Sequence, residues 1–206
     1  MASNTEFIAP VDITAEKVTR SIFTLFRKHG CSSYIGEAVT QQEHAIQCAM
    51  LARKQGYSEE VILGAFLHDI GHMVGIDQGF ERMVTGDIVL GSADHEKVGE
   101  QFLKELGFPE SVTSIVRGHV TAKRYLVFKY QDYYNRLSEA SKMTLVHQGG
   151  PMSKSEAEEF EKQPQFKAIL KMREWDEAAK DTSMKMDSLP FYEEMCQRVL
   201  EKHIQL

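Results

Sequence analysis

The sequence has few cysteines, no long basic run and no long apolar run, and each absence excludes a class of protein. Its three cysteines, Cys31, Cys48 and Cys196, are widely spaced and form no CxxC pair, so we expect free thiols in a reducing, cytoplasmic compartment. No apolar stretch could cross a bilayer, and the N-terminus lacks a basic segment followed by an apolar one, so we expect neither a membrane anchor nor a secretory signal. A net charge of -6 without a basic run argues against nucleic acid as a partner.

The 206 residues, of which 42% are hydrophobic, suffice for one domain with a sizeable core. Apolar residues recur at helical spacing along most of the chain, and we find no convincing strand, no internal repeat and no linker. We therefore predict an all-α fold in which residues 1–206 form a single domain, with residues 1–12 as a loose N-terminal lead-in. Residues 73–92 contain several glycines and are predicted to be a loop, of the kind that often forms a lid or a site wall.

Capping signals and glycines bound the predicted helices. Thr40-Gln41-Gln42-Glu43 and Ser153-Lys154-Ser155-Glu156 are capping boxes, and Ser58 can cap the apolar helix that follows it. The predicted helices cover residues 14–28, 40–55, 58–67, 94–106, 110–117, 121–134, 138–148, 153 onward, 165–180 and 187–202.

The most informative stretch is Leu67-His68-Asp69, which places an imidazole and a carboxylate at the end of the uninterrupted apolar run over residues 61–67. This run predicts a buried helix. A buried carboxylate without a partner costs roughly several kcal/mol. A metal cation is the partner that we expect for Asp69.

Other potential ligands lie where the predicted helices begin or end their buried faces: His44, His95, His119 and Asp176. Together with the central pair they offer four imidazoles and two carboxylates, which is more than one zinc site takes. This number suits two ions that share one carboxylate. We expect one ion at His44, His68 and Asp176, and a second at His95 and His119, with Asp69 bridging the two. A ligand set without thiolate favours iron, manganese or another borderline metal.

The pattern resembles that of the HD-domain superfamily, whose fold is an all-α helical bundle and whose dinuclear members include phosphohydrolases and oxygenases. Further segments are similar to the phosphonate-degrading oxygenases of that superfamily. They are Tyr34-Ile35-Gly36-Glu37, Lys123, Ser141, Gln148-Gly149-Gly150-Pro151-Met152 and Arg173-Glu174-Trp175-Asp176. The resemblance runs from about residue 34 to residue 180, and it implies that the chain is a single HD domain.

The resemblance implies a mixed-valent Fe(II)/Fe(III) pair and O2-dependent cleavage of the carbon–phosphorus bond of a 1-hydroxy-2-aminoethylphosphonate-type substrate. The products would be phosphate and glycine, or an N-methylated analogue such as glycine betaine. Tyr34 would be a displaceable iron ligand and Glu37 would pair with the substrate ammonium. The implied phosphonate site consists of His72, Lys123 and Ser141. The implied catalytic residues are Asp69, His72 and Tyr34.

The sequence alone leaves three other functions open. An HD-class phosphohydrolase acting on nucleotides or phosphate esters would share the metal ligands but would not use Tyr34 as one. An inositol-oxygenase-like enzyme would carry a lysine in place of His72, and a degenerate module would only bind a ligand or partner. The substrate amine is open as well, because Glu37 favours a primary ammonium whereas a trimethylammonium would prefer an aromatic box. The candidates for such a box are Tyr125, Phe128, Tyr130, Tyr133 and Tyr134.

Overall fold

Helices make up most of the chain, which confirms the all-α class. The computed structural model describes residues 14–34 and 36–204, so the predicted lead-in at residues 1–12 lies outside the described residues. The described helices are α1 (Ala15–His29), α2 (Gln41–Lys54), α3 (Glu59–Leu67), α4 (Ile70–Gln78), α5 (His95–Glu105), α6 (Glu110–Lys129), α7 (Gln131–Arg136), α8 (Glu139–His147), α9 (Lys154–Phe160), α10 (Phe166–Ala178) and α11 (Leu189–His203). A ribbon of two short strands, β1 (Arg82–Thr85) and β2 (Ile88–Ser92), lies between α4 and α5.

The capping signals begin helices where the sequence places them. The Thr40 side chain accepts a hydrogen bond from Glu43 N at 3.2 Å, and the Glu43 carboxylate accepts one from Thr40 N at 2.7 Å. The same reciprocal pair forms between Ser153 and Glu156 at the start of α9. Ser58 caps α3 by accepting from the backbone of its first turn. These side chains satisfy backbone donors that a helix terminus would otherwise leave unpaired.

An aromatic stack connects α1, α3 and α11. Phe66 of α3 lies between Phe26 of α1 and Tyr192 of α11, with ring centroids 4.5 Å and 4.8 Å away. Phe23 packs on the same ring at 5.7 Å. All four side chains are buried, and each aromatic pair contributes about 0.5–1.5 kcal/mol beyond the area that it buries. The stack therefore anchors α3, the helix that leads into His68.

The expectation of no strand is wrong, and residues 73–92 are not one loop. Helix α4 continues to Gln78 and ends at Gly79, which adopts a left-handed φ of 70°. Strands β1 and β2 then pair antiparallel, with Thr85 opposite Ile88 across a turn that contains Gly86. Most side chains of the ribbon are exposed. Because few of these side chains face the core, the sequences of the two strands lack the alternation of apolar and polar residues that predicts a half-buried strand.

One continuous helix, α6, replaces the two helices predicted over residues 110–117 and 121–134. Gly118 does not end the helix, because α10 packs directly against it: a Cβ at this position would lie 2.6 Å from Ile169 Cγ2. The helix ends instead at Lys129, and the extended backbone of Tyr130 separates α6 from α7. His119 therefore lies within a long helix and not at a helix end.

The three cysteines are free, with Cys31 exposed and with Cys48 and Cys196 buried. This confirms the prediction of unpaired thiols. Among the described residues, no helix combines the length and the apolar character that crossing a membrane requires.

Helices α4 and α5 approach each other so closely at Gly71 that no side chain fits between them. A Cβ on Gly71 would lie 1.9 Å from the carbonyl oxygen of His95 and 2.8 Å from the backbone nitrogen of Gly99. Both obstacles are backbone atoms, which cannot rotate away as a side chain can. The contact therefore determines the distance between the start of α4, where Asp69 lies, and the first turn of α5.

We expect Gly71→Ala to destabilise the protein by about 3 kcal/mol, near the upper end of the usual cost of overpacking, because two helix backbones must separate. Denaturant unfolding followed by circular dichroism measures the change. Gln78→Ala, at the exposed last position of the same helix, is the matched control and should stay within about 0.5 kcal/mol of the wild type. A Gly71→Ala protein as stable as this control would show that α4 and α5 do not touch here.

Candidate metal centre and substrate cleft

The His68-Asp69 pair occupies the junction between two helices. Helix α3 ends at Leu67, His68 is its C-cap, and Asp69 is the N-cap of α4. The Asp69 side chain accepts no hydrogen bond from its own helix, although aspartate at this position usually does. Both side chains are buried. The Asp69 carboxylate is therefore available to groups that other helices bring to it.

The Asp69 carboxylate lies between two pairs of imidazoles. Its Oδ2 atom is 3.2 Å from His68 Nε2 and 3.9 Å from His44 Nε2. Its Oδ1 atom is 3.4 Å from Nε2 of His95 and 3.4 Å from Nε2 of His119. Each oxygen thus faces a different pair of histidines, which is the arrangement that a carboxylate shared between two cations requires.

Within each group the potential ligand atoms are spaced as ligands of a common ion. His44 Nε2 lies 3.3 Å from His68 Nε2 and 3.3 Å from Asp176 Oδ1. In the second group, His95 Nε2 lies 3.0 Å from His119 Nε2. Atoms that each bind one ion at about 2.1 Å are roughly 3.0–3.4 Å apart at ordinary coordination angles. The residues present fit two ions; their role as ligands stays a prediction.

Three of these imidazoles have their other nitrogen held by a main-chain carbonyl. The contacts are His44 Nδ1 to Ala179 O (2.9 Å), His68 Nδ1 to Ala65 O (2.9 Å) and His119 Nδ1 to Val116 O (2.7 Å). Because a carbonyl oxygen only accepts, Nδ1 must carry the proton, and Nε2 of the neutral ring presents its lone pair. Lone pairs that converge at these distances repel one another unless a cation or proton lies between them.

The electrostatics of the site keep both carboxylates anionic. Burial opposes ionisation of Asp69, but the neighbouring His68 holds the pKa of its carboxyl well below the usual range. Burial also opposes ionisation of Asp176, and there Arg173 holds the pKa well below the usual range. Burial lowers the pKa of His95 well below its ordinary value. His68 differs: burial opposes its protonation, but the carboxylates of Asp69 and Asp176 together raise its pKa to about 9, so without a metal this ring carries a proton on Nε2 as well. The site therefore attracts cations.

Cys48 is a buried neighbour that the sequence did not single out. Its Sγ lies 3.8 Å from His44 Nε2, and it could form a metal-binding group with His44 and His68. Burial, together with the charge of Asp176, raises the pKa of the thiol well above its ordinary value. A protonated thiol is a poor ligand, so Asp176 completes the group better. The signal in the sequence was the one-turn spacing between His44 and Cys48 on α2.

The segment before α2 brings Tyr34 over the first group of ligands. Its ring stacks on His44 with centroids 3.8 Å apart, and its hydroxyl donates to Asp176 Oδ1 at 3.4 Å. Burial raises the pKa of Tyr34, so the phenol keeps its proton unless a cation replaces it. The next residues turn back: Glu37 N donates to the carbonyl of Tyr34, and the Glu37 carboxylate pairs with Lys180 at 2.5 Å.

A cleft beside the centre is lined by the three residues predicted to bind a phosphonate: His72, Lys123 and Ser141. Burial lowers the pKa of His72 to about 4, and its Nδ1 accepts a hydrogen bond from Ser92 N at 3.0 Å. The neutral ring therefore carries its proton on Nε2 and is a donor at that atom. The Lys123 ammonium donates to Thr144 Oγ1 at 2.9 Å. The cleft thus contains several donors suited to an anion.

Comparison with known proteins identifies the family. Residues 42–198 match the protein family described as HD domain. The chain belongs to the HD-domain family. It is 42% identical over 180 residues to the glycine-betaine-forming 1-hydroxy-2-(trimethylamino)ethylphosphonate dioxygenase of Leisingera caerulea, covering 87% of this chain and 89% of that protein. It is 40% identical over 186 residues to the hydroxymethylphosphonate dioxygenase of Gimesia maris, covering 90% and 89%.

A third relative of this HD-domain protein is an uncharacterised protein of Acanthamoeba polyphaga mimivirus, 42% identical over 172 residues, which cover 84% of this chain and 77% of that protein. The resemblance to phosphonate-degrading members of the family is therefore confirmed. That residues 1–206 form one domain stays a prediction.

The HD-domain site uses further residues to which the sequence gave no role. Arg173 Nη2 donates to Ser141 Oγ at 3.0 Å, and the same guanidinium pairs with Asp176. Arg173 thus connects a candidate metal ligand to a candidate substrate-binding hydroxyl. Its position three residues before Asp176, on the same face of α10, was the available signal. Thr144 and Lys180 also line the cleft, and no pattern marked either of them.

None of the five aromatic residues considered for a trimethylammonium box is among the described residues that line the cleft. Tyr125 packs in the core against Phe160 and Phe166, with centroids 5.3 Å and 5.5 Å away. Tyr133 accepts a hydrogen bond from Arg173. The other three side chains are exposed: Phe128, Tyr130 and Tyr134.

We expect Lys123→Met to stabilise the metal-free protein at neutral pH. Burial, and after it the charge of Arg173, lowers the pKa of Lys123 to about 7. Between about pH 7 and pH 10 the unfolded chain therefore binds a proton that the folded chain does not, and this favours unfolding. The substitution should raise the free energy of unfolding at pH 7.5 by about 1 kcal/mol or more, and the gain should shrink as the pH rises toward about 10.

Denaturant unfolding at several pH values measures this gain, with the exposed Lys54→Met as the control. Identical effects of Lys123→Met and Lys54→Met at every pH would contradict a depressed pKa of Lys123.

Proposed function

We propose that this HD-domain protein is a non-haem diiron dioxygenase that cleaves the carbon–phosphorus bond of a small 1-hydroxyphosphonate with O2. The observation that carries the proposal is the position of Asp69, whose two oxygens face two separate pairs of histidines beside the cleft. Two relatives named as phosphonate dioxygenases, each at least 40% identical over most of the chain, support the reaction and the class of substrate.

Iron suits this set of ligands, because imidazole and carboxylate groups bind it and no thiolate competes. The residues would be divided between the ions as follows: His44, His68 and Asp176 at one, His95 and His119 at the other, and Asp69 at both. Tyr34, whose hydroxyl lies beside Asp176, would occupy an open position until substrate arrives. An Fe(II)/Fe(III) pair would supply the electron transfer to O2.

The cleft residues would bind the phosphonate and direct its hydroxylated carbon toward the ions. His72 would donate from Nε2, Lys123 would supply a positive charge, and Ser141 would supply a hydroxyl that Arg173 holds in place. Burial brings the pKa of Lys123 to about 7, and an anion bound beside it would raise that pKa and favour the charged form. Substrate binding and protonation of Lys123 would therefore be coupled.

The reaction balances without an added reductant. Four electrons pass from the substrate to O2 as the carbon–phosphorus bond and the adjacent carbon–hydrogen bond break. One oxygen atom is added to the carbon, which becomes a carboxylate, and one to the phosphorus, which leaves as phosphate. From 1-hydroxy-2-aminoethylphosphonate the products are glycine and phosphate.

Within the substrate class, a primary ammonium fits the cleft better than a trimethylammonium. Glu37 lines the cleft and is paired with Lys180 at 2.5 Å. A primary ammonium can donate a hydrogen bond to that carboxylate and replace the lysine. A trimethylammonium cannot donate and prefers an aromatic box, and among the described residues that line the cleft Tyr34 is the single tyrosine, with no phenylalanine or tryptophan beside it. We therefore propose 1-hydroxy-2-aminoethylphosphonate as the substrate.

The iron-loaded protein should release phosphate from 1-hydroxy-2-aminoethylphosphonate in the presence of O2, with one O2 consumed for each phosphate. Under strict anaerobiosis the release should stop, because no other oxidant is present. A phosphate assay run together with an oxygen electrode measures both quantities. Equal release with and without O2 would contradict the proposed oxygenase reaction.

Asp69→Ala should abolish binding of both ions, because its two oxygens face both groups of histidines. Elemental analysis after iron loading measures the stoichiometry, which should fall from about two per chain to about zero. The control is Asp77→Ala, which removes another aspartate of α4 whose partners are Lys28 and His29 at the surface. Retention of two irons by Asp69→Ala would contradict the bridging position.

Glu37→Gln should lower kcat/KM for 1-hydroxy-2-aminoethylphosphonate by about tenfold or more, because a charge-assisted hydrogen bond contributes about 1.5–3 kcal/mol. Hydroxymethylphosphonate, which has no ammonium, is the matched substrate, and kcat/KM for it should fall much less. Steady-state kinetics with both compounds and with the trimethylammonium analogue measure the difference. An equal loss on all three substrates, or a wild-type preference for the trimethylammonium compound, would contradict the assignment of Glu37.

A further inference from the structure

One of the four candidate imidazole ligands lacks the support that the other three have. Nδ1 of His44, His68 and His119 each donate to a main-chain carbonyl within 2.9 Å. Nδ1 of His95 is buried and has no hydrogen-bond partner among the described residues. Buried donors are rarely left unpaired, because each costs about 1–3 kcal/mol. Among the described residues, the His95 ring therefore lacks the carbonyl acceptor that orients the other three rings.

The neighbouring side chain, Glu96, has a complementary unpaired atom. Its Oε1 accepts from Arg117 Nη1 at 3.1 Å. Its Oε2 is buried without a hydrogen-bond partner and lies 4.0 Å from His95 Nδ1. The Glu96 side chain is only 7% exposed, which is rare for a glutamate outside a paired network. Two unpaired buried atoms of opposite hydrogen-bonding character thus face each other in the first turn of α5.

We propose that Glu96 is the positioning residue for His95: its Oε2 accepts the Nδ1 proton of His95 and so directs Nε2 toward the ion shared with His119 and Asp69. A shortening of the 4.0 Å separation by about 1 Å brings the two atoms to hydrogen-bond distance. Arg117 holds the other oxygen, so the carboxylate approaches His95 from a fixed direction. This inference rests on the proposed metal centre.

The assignment makes the two ion positions chemically different. A carboxylate acceptor withdraws the Nδ1 proton more strongly than a carbonyl does and makes the imidazole a stronger electron donor. Only the group of His95 and His119 has such a ligand, since both histidines of the other group are held by carbonyls. Glu96 therefore favours the higher oxidation state at the His95 position. Removing its charge should weaken metal binding there and raise the reduction potential of that ion.

Glu96→Gln tests the proposal, because the amide keeps the size of the side chain and removes its charge. The control is Glu100→Gln, one turn further along α5, which removes the other carboxylate partner of Arg117, at 3.5 Å, without approaching His95. Titration with Fe(II) and separately with Zn(II) measures affinity, and a redox titration followed by electron paramagnetic resonance measures the potential of the mixed-valent pair.

In Glu96→Gln we expect the more weakly bound of the two ions to bind about 10-fold to 100-fold less tightly than it does in the wild type. The reduction potential of the mixed-valent pair should be more positive. Glu100→Gln should resemble the wild type in both respects. If the two variants are equal in affinity and in potential, Glu96 serves only its ion pair with Arg117 and the proposal fails. If the wild type itself binds fewer than two ions, the proposed function fails instead.

A measurement on the wild type keeps the proposal testable even if Glu96→Gln does not fold. In a crystal structure of the zinc-loaded protein, we expect His95 Nδ1 within about 3.2 Å of Glu96 Oε2. A His95 Nδ1 that donates to a carbonyl or to water, with Glu96 still distant, would overturn it.

Discussion

The carboxylate of Asp69 faces four imidazoles, carried by α2, α5, α6 and the C-cap of α3, and the centre of the molecule depends on the positive charge that these groups would share. In a dry interior an uncompensated carboxylate costs roughly several kcal/mol, so the helices that carry the imidazoles must pack around it. The close approach at Gly71 brings α5 near enough for His95 to reach Oδ1. The geometry of the metal centre therefore depends directly on how these helices pack.

Main-chain carbonyls orient three of the four candidate imidazole ligands. The Nδ1 acceptors of His68 and His119 are carbonyls three residues earlier in the sequence, Ala65 and Val116. A helical segment offers such a carbonyl whatever side chains surround it. The acceptor for His44 is Ala179, the C-cap of α10. These supports leave the neighbouring side chains free to serve substrate binding.

Much of the fold and of the candidate site could be predicted from local sequence. Both capping boxes begin helices as expected, because a cap depends on residues within one turn. The six acidic and imidazole residues assigned to metal do lie together, because buried imidazoles and carboxylates need charged or hydrogen-bonding partners in the interior. The role of Gly118 could not be predicted, because a glycine that admits Ile169 and one that ends a helix are indistinguishable without the partner helix. The Glu37–Lys180 pair joins residues 143 positions apart, and no local pattern reveals such a contact.

The ribbon was missed because most of its side chains are exposed, yet it positions a cleft residue. Its second strand ends at Ser92, whose backbone nitrogen donates to His72 and whose hydroxyl donates to the carbonyl of the same residue. Successive residues of a strand point to opposite faces. Insertions at the tip, around Gly86, leave this arrangement untouched, whereas one residue gained or lost between Leu90 and Ser92 would turn the imidazole's support outward. The length of the hairpin can therefore vary at its tip, whereas the number of residues between Leu90 and Ser92 must stay constant.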